Sequence, residues 1–213
     1  MNAQTERLQF SGAAGAIEAL RDSPAPDATL RGTAVIAHPH PLFGGTMDNK
    51  VVQTLARACV ACGLTALRFN FRGVGASAGV HDEGRGELDD LLALVEQAAP
   101  EGPLVLAGFS FGAFVTSHAL ARLWDGGRIE RAILVGTAAS RFEVAPLPPE
   151  AHLATLVVHG EHDETVPLAS VMDWARPQQL PVTVVPGGGH FFHGQLPLLK
   201  NLAMRHLQPP ALS

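Results

Sequence analysis

The chain of 213 residues is 46% hydrophobic and 16% charged, enough for one substantial core or two small ones. Its formal net charge of −5, with no Lys/Arg cluster, offers no electrostatic draw toward nucleic acid or an anionic membrane and suits a small neutral or mildly charged substrate better. The 22 glycines and 16 prolines are too many for a helical bundle and fit a fold with many tight strand–helix turns. The opening MNAQTERLQF is polar and lacks the apolar core of a secretory signal. The most apolar stretch, Pro103 to Val115, is too short to cross a bilayer and contains Gly and Ser. A cytoplasmic, membrane-free protein with a single domain over residues 1–213 is the expectation.

Strand-like segments at Arg7–Phe10 and Ala16–Arg21 read as a hairpin through Gly12 and Gly15. The pattern then alternates. Thr33–His38 (TAVIAH) is an apolar run of strand length, Lys50–Cys62 has helical spacing, and Leu64–Phe71 (LTALRFNF) is again strand-like. Inside the first helix, Cys59 and Cys62 form C-V-A-C at i and i+3 among Leu55, Val60 and Leu64; this reads as buried packing rather than a redox pair, which needs an exposed helix start. Glu87–Ala98 is amphipathic, with Leu88, Leu91, Leu92 and Val95 on one face and Glu87, Asp89 and Asp90 in an acidic first turn. The His81–Glu83 segment before it reads as a solvated lead-in. Strand Leu104–Gly108, helix Phe111–Leu123 and strand Arg131–Gly136 follow, then strand Ala154–His159, helix Leu168–Trp174, strand Pro181–Val185 and helix Leu196–Leu207. Short, nearly continuous apolar strands between helices predict an α/β fold, a mostly parallel sheet covered on both faces. Active sites in such sheets gather at the carboxyl ends of the strands.

Gly108-Phe109-Ser110-Phe111-Gly112 matches G-x-S-x-G, between the apolar strand PLVLA and the helix-forming FVTSHALARL. That setting is what a nucleophile elbow needs. A side chain at 108 or 112 would collide with backbone, so glycine is required there. Ser110 is then lifted above the sheet, and the Phe111 N–H is aimed where an oxyanion would form. The alternative is a serine that only caps a helix.

A serine hydroxyl needs a base. Asp163 follows strand LVVHG in G-E-H-D-E-T-V-P, and its carboxylate can reach a histidine beyond the next strand; Glu161 and Glu164 are alternatives. His190 follows VTVVP and the run Gly187-Gly188-Gly189, which leaves room to bring its imidazole over Ser110; His193 competes with it. Ser110, Asp163 and His190 stand in the chain order expected of this architecture, each at a strand end.

Taken with HPHPLFGGTMDNK (His38–Lys50), RFNFRGVGAS (Arg68–Ser77), GEHD and GHFFHG, these motifs resemble the α/β-hydrolase superfamily, and within it small lidless bacterial serine hydrolases carrying the HPHPLFGGT loop. The resemblance covers nearly the whole chain. It implies an α/β-hydrolase fold with a sheet of about eight strands, and the nucleophile, acid and base roles for Ser110, Asp163 and His190. It also implies a second oxyanion donor in the loop after the third strand. There His40 is nominated through its backbone N–H; Pro39 and Pro41 have none, while Leu42 and Phe43 stay possible. His38 and His40 also suggest metal binding, but an extended chain points them to opposite faces and no further ligands are fixed by spacing, so neither metal nor cofactor is expected. Arg68, Asn70 and Arg72 lie at a strand end, where they could contact substrate or pin loops. The short connection around Val144–Pro149 leaves no room for a helical lid. Phe43, Phe191 and Phe192, with Phe111, are candidate pocket walls.

Serine at 110 favours attack on a carboxylic ester or thioester and an acyl-enzyme that water resolves. Its expected partner is a small-molecule acyl substrate, not nucleic acid or membrane. An acyltransferase or cofactor-free perhydrolase would use the same groups, and a non-catalytic binding protein of the same fold would be expected to have lost one of them.

Overall fold

The computed structural model describes residues 4–124 and 127–208. The chain forms strands β1 (Gln4–Gly12), β2 (Gly15–Ser23) and β3 (Gly32–Ala37), helix α1 (Lys50–Ala61), β4 (Leu64–Phe69) and α2 (Arg85–Ala98). It continues through β5 (Leu104–Phe109), α3 (Phe111–Leu123), β6 (Ile129–Val135), β7 (Thr155–Gly160), α4 (Leu168–Ala175), β8 (Val182–Val185) and α5 (Leu196–Leu207). All the strands join one 8-stranded sheet in the order β1-β2-β4-β3-β5-β6-β7-β8. Strand β2 pairs antiparallel with β1 and β4, and every other pair is parallel.

Alternation along the central strands explains the two-sided core. In β5, Leu104 and Leu106 enter one apolar cluster, and Val105, Ala107 and Phe109 enter the other. Strand β6 does the same with Ala132 and Leu134 against Ile133 and Val135. The first cluster is roofed by α2, α3 and α4 through Leu88, Leu91, Phe114, Val115 and Val171; the second is roofed by α1 and α5 through Val51, Leu55, Leu199 and Ala203. Burying a Leu or Phe side chain contributes about 1.5–3 kcal/mol, so a one-residue slip in a central strand would scramble both layers.

Boundaries depart from the sequence reading where polar partners intervene. β4 ends at Phe69: Asn70 N–H still donates to Glu18 O (2.9 Å), but Ser77 Oγ accepts from Glu18 N–H (3.0 Å) and donates to Asn70 O (2.7 Å), and Phe71 N–H donates to His38 Nε2 (3.0 Å). α2 begins at Arg85, two residues before the expected start, and the Glu87 carboxylate accepts from Gly84 N–H (2.9 Å) and Asp82 N–H (2.9 Å). Between β6 and β7, residues 136–154 contain a short 3-10 turn (Pro149–Ala151) and no helical cap, as the short connection predicted. Among the described residues, no helix is long and apolar enough to cross a membrane.

Candidate active site

The carboxyl ends of β3, β5, β7 and β8 converge on one site. Ser110 sits between β5 and α3 with φ 58° and ψ −115°, a backbone region that costs a non-glycine residue about 1–3 kcal/mol. The turn is held there by the Ser110 N–H donating to Val135 O (2.8 Å) and by close backbone packing at both flanking glycines. A Cβ on Gly108 would lie 2.4 Å from Gly112 O, and one on Gly112 would lie 2.4 Å from Ala37 O. The reason for glycine at both positions is therefore steric, as read from the motif.

His190 Nε2 lies 3.0 Å from Ser110 Oγ, and His190 Nδ1 lies 2.6 Å from Asp163 Oδ2. The carboxylate can only accept, so Nδ1 carries the proton and Nε2 is left to accept the serine O–H. Asp163 Oδ1 takes two further bonds, from Thr165 N–H (2.9 Å) and Val166 N–H (2.7 Å). Burial works against the Asp163 charge, but the bonds from His190 and Val166 and the nearby His190 and His159 rings outweigh it, and the carboxyl is held below the usual carboxylate range. His159, fully buried beneath, donates from Nε2 to Val166 O (2.9 Å) and lies 3.5 Å from Asp163 Oδ2.

The alternatives fall elsewhere. Glu161 is exposed and accepts from Gly187 N–H (2.8 Å), stapling the glycine loop that delivers His190; Glu164 and His193 face solvent.

On the opposite side of Ser110 lies the loop after β3. Leu42 N–H donates to His40 Nδ1 (3.2 Å), and Phe43 N–H donates to His40 O (3.1 Å). The N–H groups of His40 and Phe111 have no acceptor among the described residues. Both residues line, with Ser110 and His190, a cavity of about 300 Å³. His38 does not accompany His40: it is fully buried, its Nδ1–H donates to Pro39 O (2.6 Å), and its Nε2 accepts from Phe71, so both ring nitrogens are occupied by backbone.

Phe43, Phe111 and Phe191 line the cavity, joined by Phe142 and Arg141. Phe192 does not. It is 1% exposed, its backbone takes φ 50°, and its ring packs with Val185 and Leu199 in the core under α5. It anchors the His190 loop rather than walling the pocket.

Arg68, Asn70 and Arg72 resolve as pins. Arg68 pairs with Asp22 (2.8 Å) and donates to Met47 O (2.9 Å) and Asp48 Oδ1 (3.1 Å). Asn70 accepts from Met47 N–H (2.9 Å) and donates to Glu18 (2.8 Å). Arg72 grips Asp90 with two bonds of 2.8 Å. Asp90, expected in the acidic first turn of its helix, is a buried ion-pair partner of Arg72.

In the lead-in to α2, Asp82 and Glu83 are solvated as expected, with side chains 40% and 75% exposed, but His81 is not. His81 is largely buried, donates from Nδ1 to Glu87 Oε1 (2.8 Å), and packs 4.7 Å from the His40 ring and 5.4 Å from Phe111. Glu87 three residues after a glycine was the one sequence signal of a cap that draws His81 inward; Arg141 and the burial of His38 left none. Cys59 is buried and its thiol is pushed up to about 12 by burial, with Cys62 raised for the same reason, so neither presents a thiolate near neutrality.

Sheet order, elbow and lidless connection define an α/β hydrolase. The chain belongs to the serine hydrolase family, whose pattern matches residues 87–200. A solved Xanthomonas campestris α/β serine hydrolase without a lid is similar over 100% of this chain and 99% of its own, at 35% identity and TM-score 0.85. An α/β serine hydrolase homologue from Coxiella burnetii is 38% identical over 95% of this chain and 97% of its own, with TM-score 0.80. An uncharacterized protein of Rickettsia prowazekii is 38% identical over 121 residues, 54% of this chain, and the chain spans about half the length of that curated relative (50%).

Proposed function

We propose that the protein hydrolyses carboxylic esters or thioesters of small acyl groups through an acyl-enzyme on Ser110. The observation that carries this reading is the unbroken relay from Ser110 Oγ to His190 Nε2 (3.0 Å) and from His190 Nδ1 to Asp163 Oδ2 (2.6 Å). Ser110 Oγ attacks the acyl carbon while its proton passes to His190 Nε2. The carbonyl oxygen becomes an oxyanion received by the N–H groups of Phe111 and His40. Collapse expels the alcohol or thiol, which takes the proton back from His190. Water then attacks the acyl-enzyme with His190 again as base, releasing the acid and restoring Ser110. Asp163 holds the tautomer and offsets the imidazolium charge.

A site without a lid gives water direct access to the acyl-enzyme, which favours hydrolysis over transfer to another acceptor. Intact serine, base and acid argue against a binding protein that has lost its chemistry.

Labelling with a fluorophosphonate probe tests the reading. The folded wild type should react, Ser110→Ala should not, and His190→Ala should lose about 10⁶-fold in kcat on a short-chain aryl ester. His193→Ala should stay near wild type. A folded wild type that neither labels nor turns over esters or acyl-CoA thioesters defeats the proposal; loss of activity with His193→Ala but not with His190→Ala reassigns the base.

A further inference from the structure

The cavity beside Ser110 has one permanent charge that the reaction does not use. Arg141 lines it from the connection between β6 and β7, with its guanidinium carbon 5.7 Å above the Phe43 ring centroid. Its side chain makes no hydrogen bond or ion pair among the described residues, unlike Arg68 and Arg72, which are locked to Asp22 and Asp90. No Asp or Glu lines the cavity. Its other histidine besides His190, His40, is pushed below its ordinary value by burial and by the nearby His81 and Arg141, so it adds no cation near neutrality. The rest of the wall is mainly aromatic and glycine backbone.

An unpaired guanidinium held over an aromatic face keeps its planar fork free for a carboxylate. We propose that Arg141 is a specificity residue that binds an anionic group of the substrate, so that the preferred substrates are short esters or thioesters carrying a carboxylate away from the scissile carbonyl. This rests on the hydrolase reading above. A cavity of about 300 Å³ has room for roughly ten water-sized groups, enough for a short chain between the carbonyl and an anion at Arg141. Arg141 is itself exposed, so its attraction should weaken as salt rises.

The test uses two pairs of esters matched in shape. One places the charge on the acyl side, an aryl monoester of adipate against the same ester of adipamate. The other places it on the leaving side, the butyryl ester of 4-hydroxybenzoate against that of 4-hydroxybenzamide. The readout is the ratio of kcat/KM for the charged over the neutral member within each protein, so a general loss of activity cancels. Wild type should favour the charged member of one pair by about tenfold, mainly through KM, and less so in high salt. Arg141→Gln should bring that ratio near one, Arg141→Lys should keep part of it, and Arg141→Glu should invert it. The pair that responds shows which side of the scissile bond Arg141 reads. If wild type turns over both neutral esters but prefers neither charged partner, or if Arg141→Gln keeps the preference, the inference is wrong and the hydrolase reading stands. If wild type turns over none of the four and does not label with fluorophosphonate, the hydrolase reading fails and takes the inference with it.

Discussion

The two sides of the Ser110 site are built by different means. On the attacking side, Ser110, Asp163 and His190 each stand within a few residues of a strand end, positioned by register, by backbone bonds and by glycines that let backbones touch. On the receiving side, the loop from His38 to Asn49 contains only the 3-10 turn Pro41–Phe43 and is held by buried side chains from distant strands. Arg68 and Asn70 on and after β4 grip Met47, and are themselves held by Asp22 and Glu18 of β2. One side is therefore a product of local chain geometry, and the other of polar pairs whose members lie far apart in sequence. The attacking side should be sensitive to substitutions at its own residues, and the receiving side to substitutions at residues that never touch substrate.

The largest effect expected on the receiving side comes from His40. Its φ of −53° is one that proline adopts, so His40→Pro removes the N–H without demanding a new backbone course. His40→Ala keeps the N–H and removes the ring. Loss of one oxyanion donor costs about 10²–10³-fold in kcat. His40→Pro should show that loss relative to His40→Ala, with both proteins folded by circular dichroism. Equal kcat values for the two would move the donor elsewhere in the loop and erase the proposed division between the sides.

Next in size is Arg68→Met, which leaves Asp22 with Thr5 Oγ1 (2.6 Å) but without its counter-ion. Breaking a buried pair at one end costs about 3 kcal/mol, or roughly 6–12 °C in Tm for a chain of this size. The receiving loop should loosen with it, lowering kcat on a short ester while fluorophosphonate labelling of Ser110 persists. A stability loss with kcat unchanged would make Arg68 a fold pin only.

These contrasts track what could be read in advance. The elements and the Ser110–Asp163–His190 relay were legible because their signals are local: apolar runs, the G-x-S-x-G spacing, a carboxylate after one strand and a histidine after the next. Arg68, Asn70 and Arg72 were visible as polar residues at a strand end, but their partners are 46, 52 and 18 residues away, and no periodicity announces such a pair. Phe192 and His81 failed for a related reason. Sequence makes Phe192 a pocket wall and His81 part of a solvated lead-in, yet a left-handed backbone at 192 sends one ring into the core, and Glu87 draws the other out of solvent against His40 and Phe111.

The smallest of these effects, and the one that separates the sides by pH, belongs to His38. Burial lowers its pKa from 6.5 to about 4, against the opposing pull of the Pro39 carbonyl. With both nitrogens committed to backbone, the folded protein holds the neutral ring while the unfolded chain takes a proton near pH 6.5. The unfolded state then binds more protons between about pH 6.5 and 4, so the stability this site contributes is fully present above that window and is lost as pH falls into it. Lowering the pH from 7 to 5 should remove about 2 kcal/mol through His38 alone, measured by urea unfolding. His159 and His206, also lowered by burial, act in the same direction, whereas Asp163, held below the usual carboxylate range, titrates beneath the window. His38→Gln keeps a side-chain oxygen that can accept from Phe71 N–H and has no proton to gain, so its stability should fall less steeply by about 2 kcal/mol over the same interval. An unchanged slope would mean that the receiving loop does not rest on a neutral His38, and that its anchorage lies with Arg68 and Asn70.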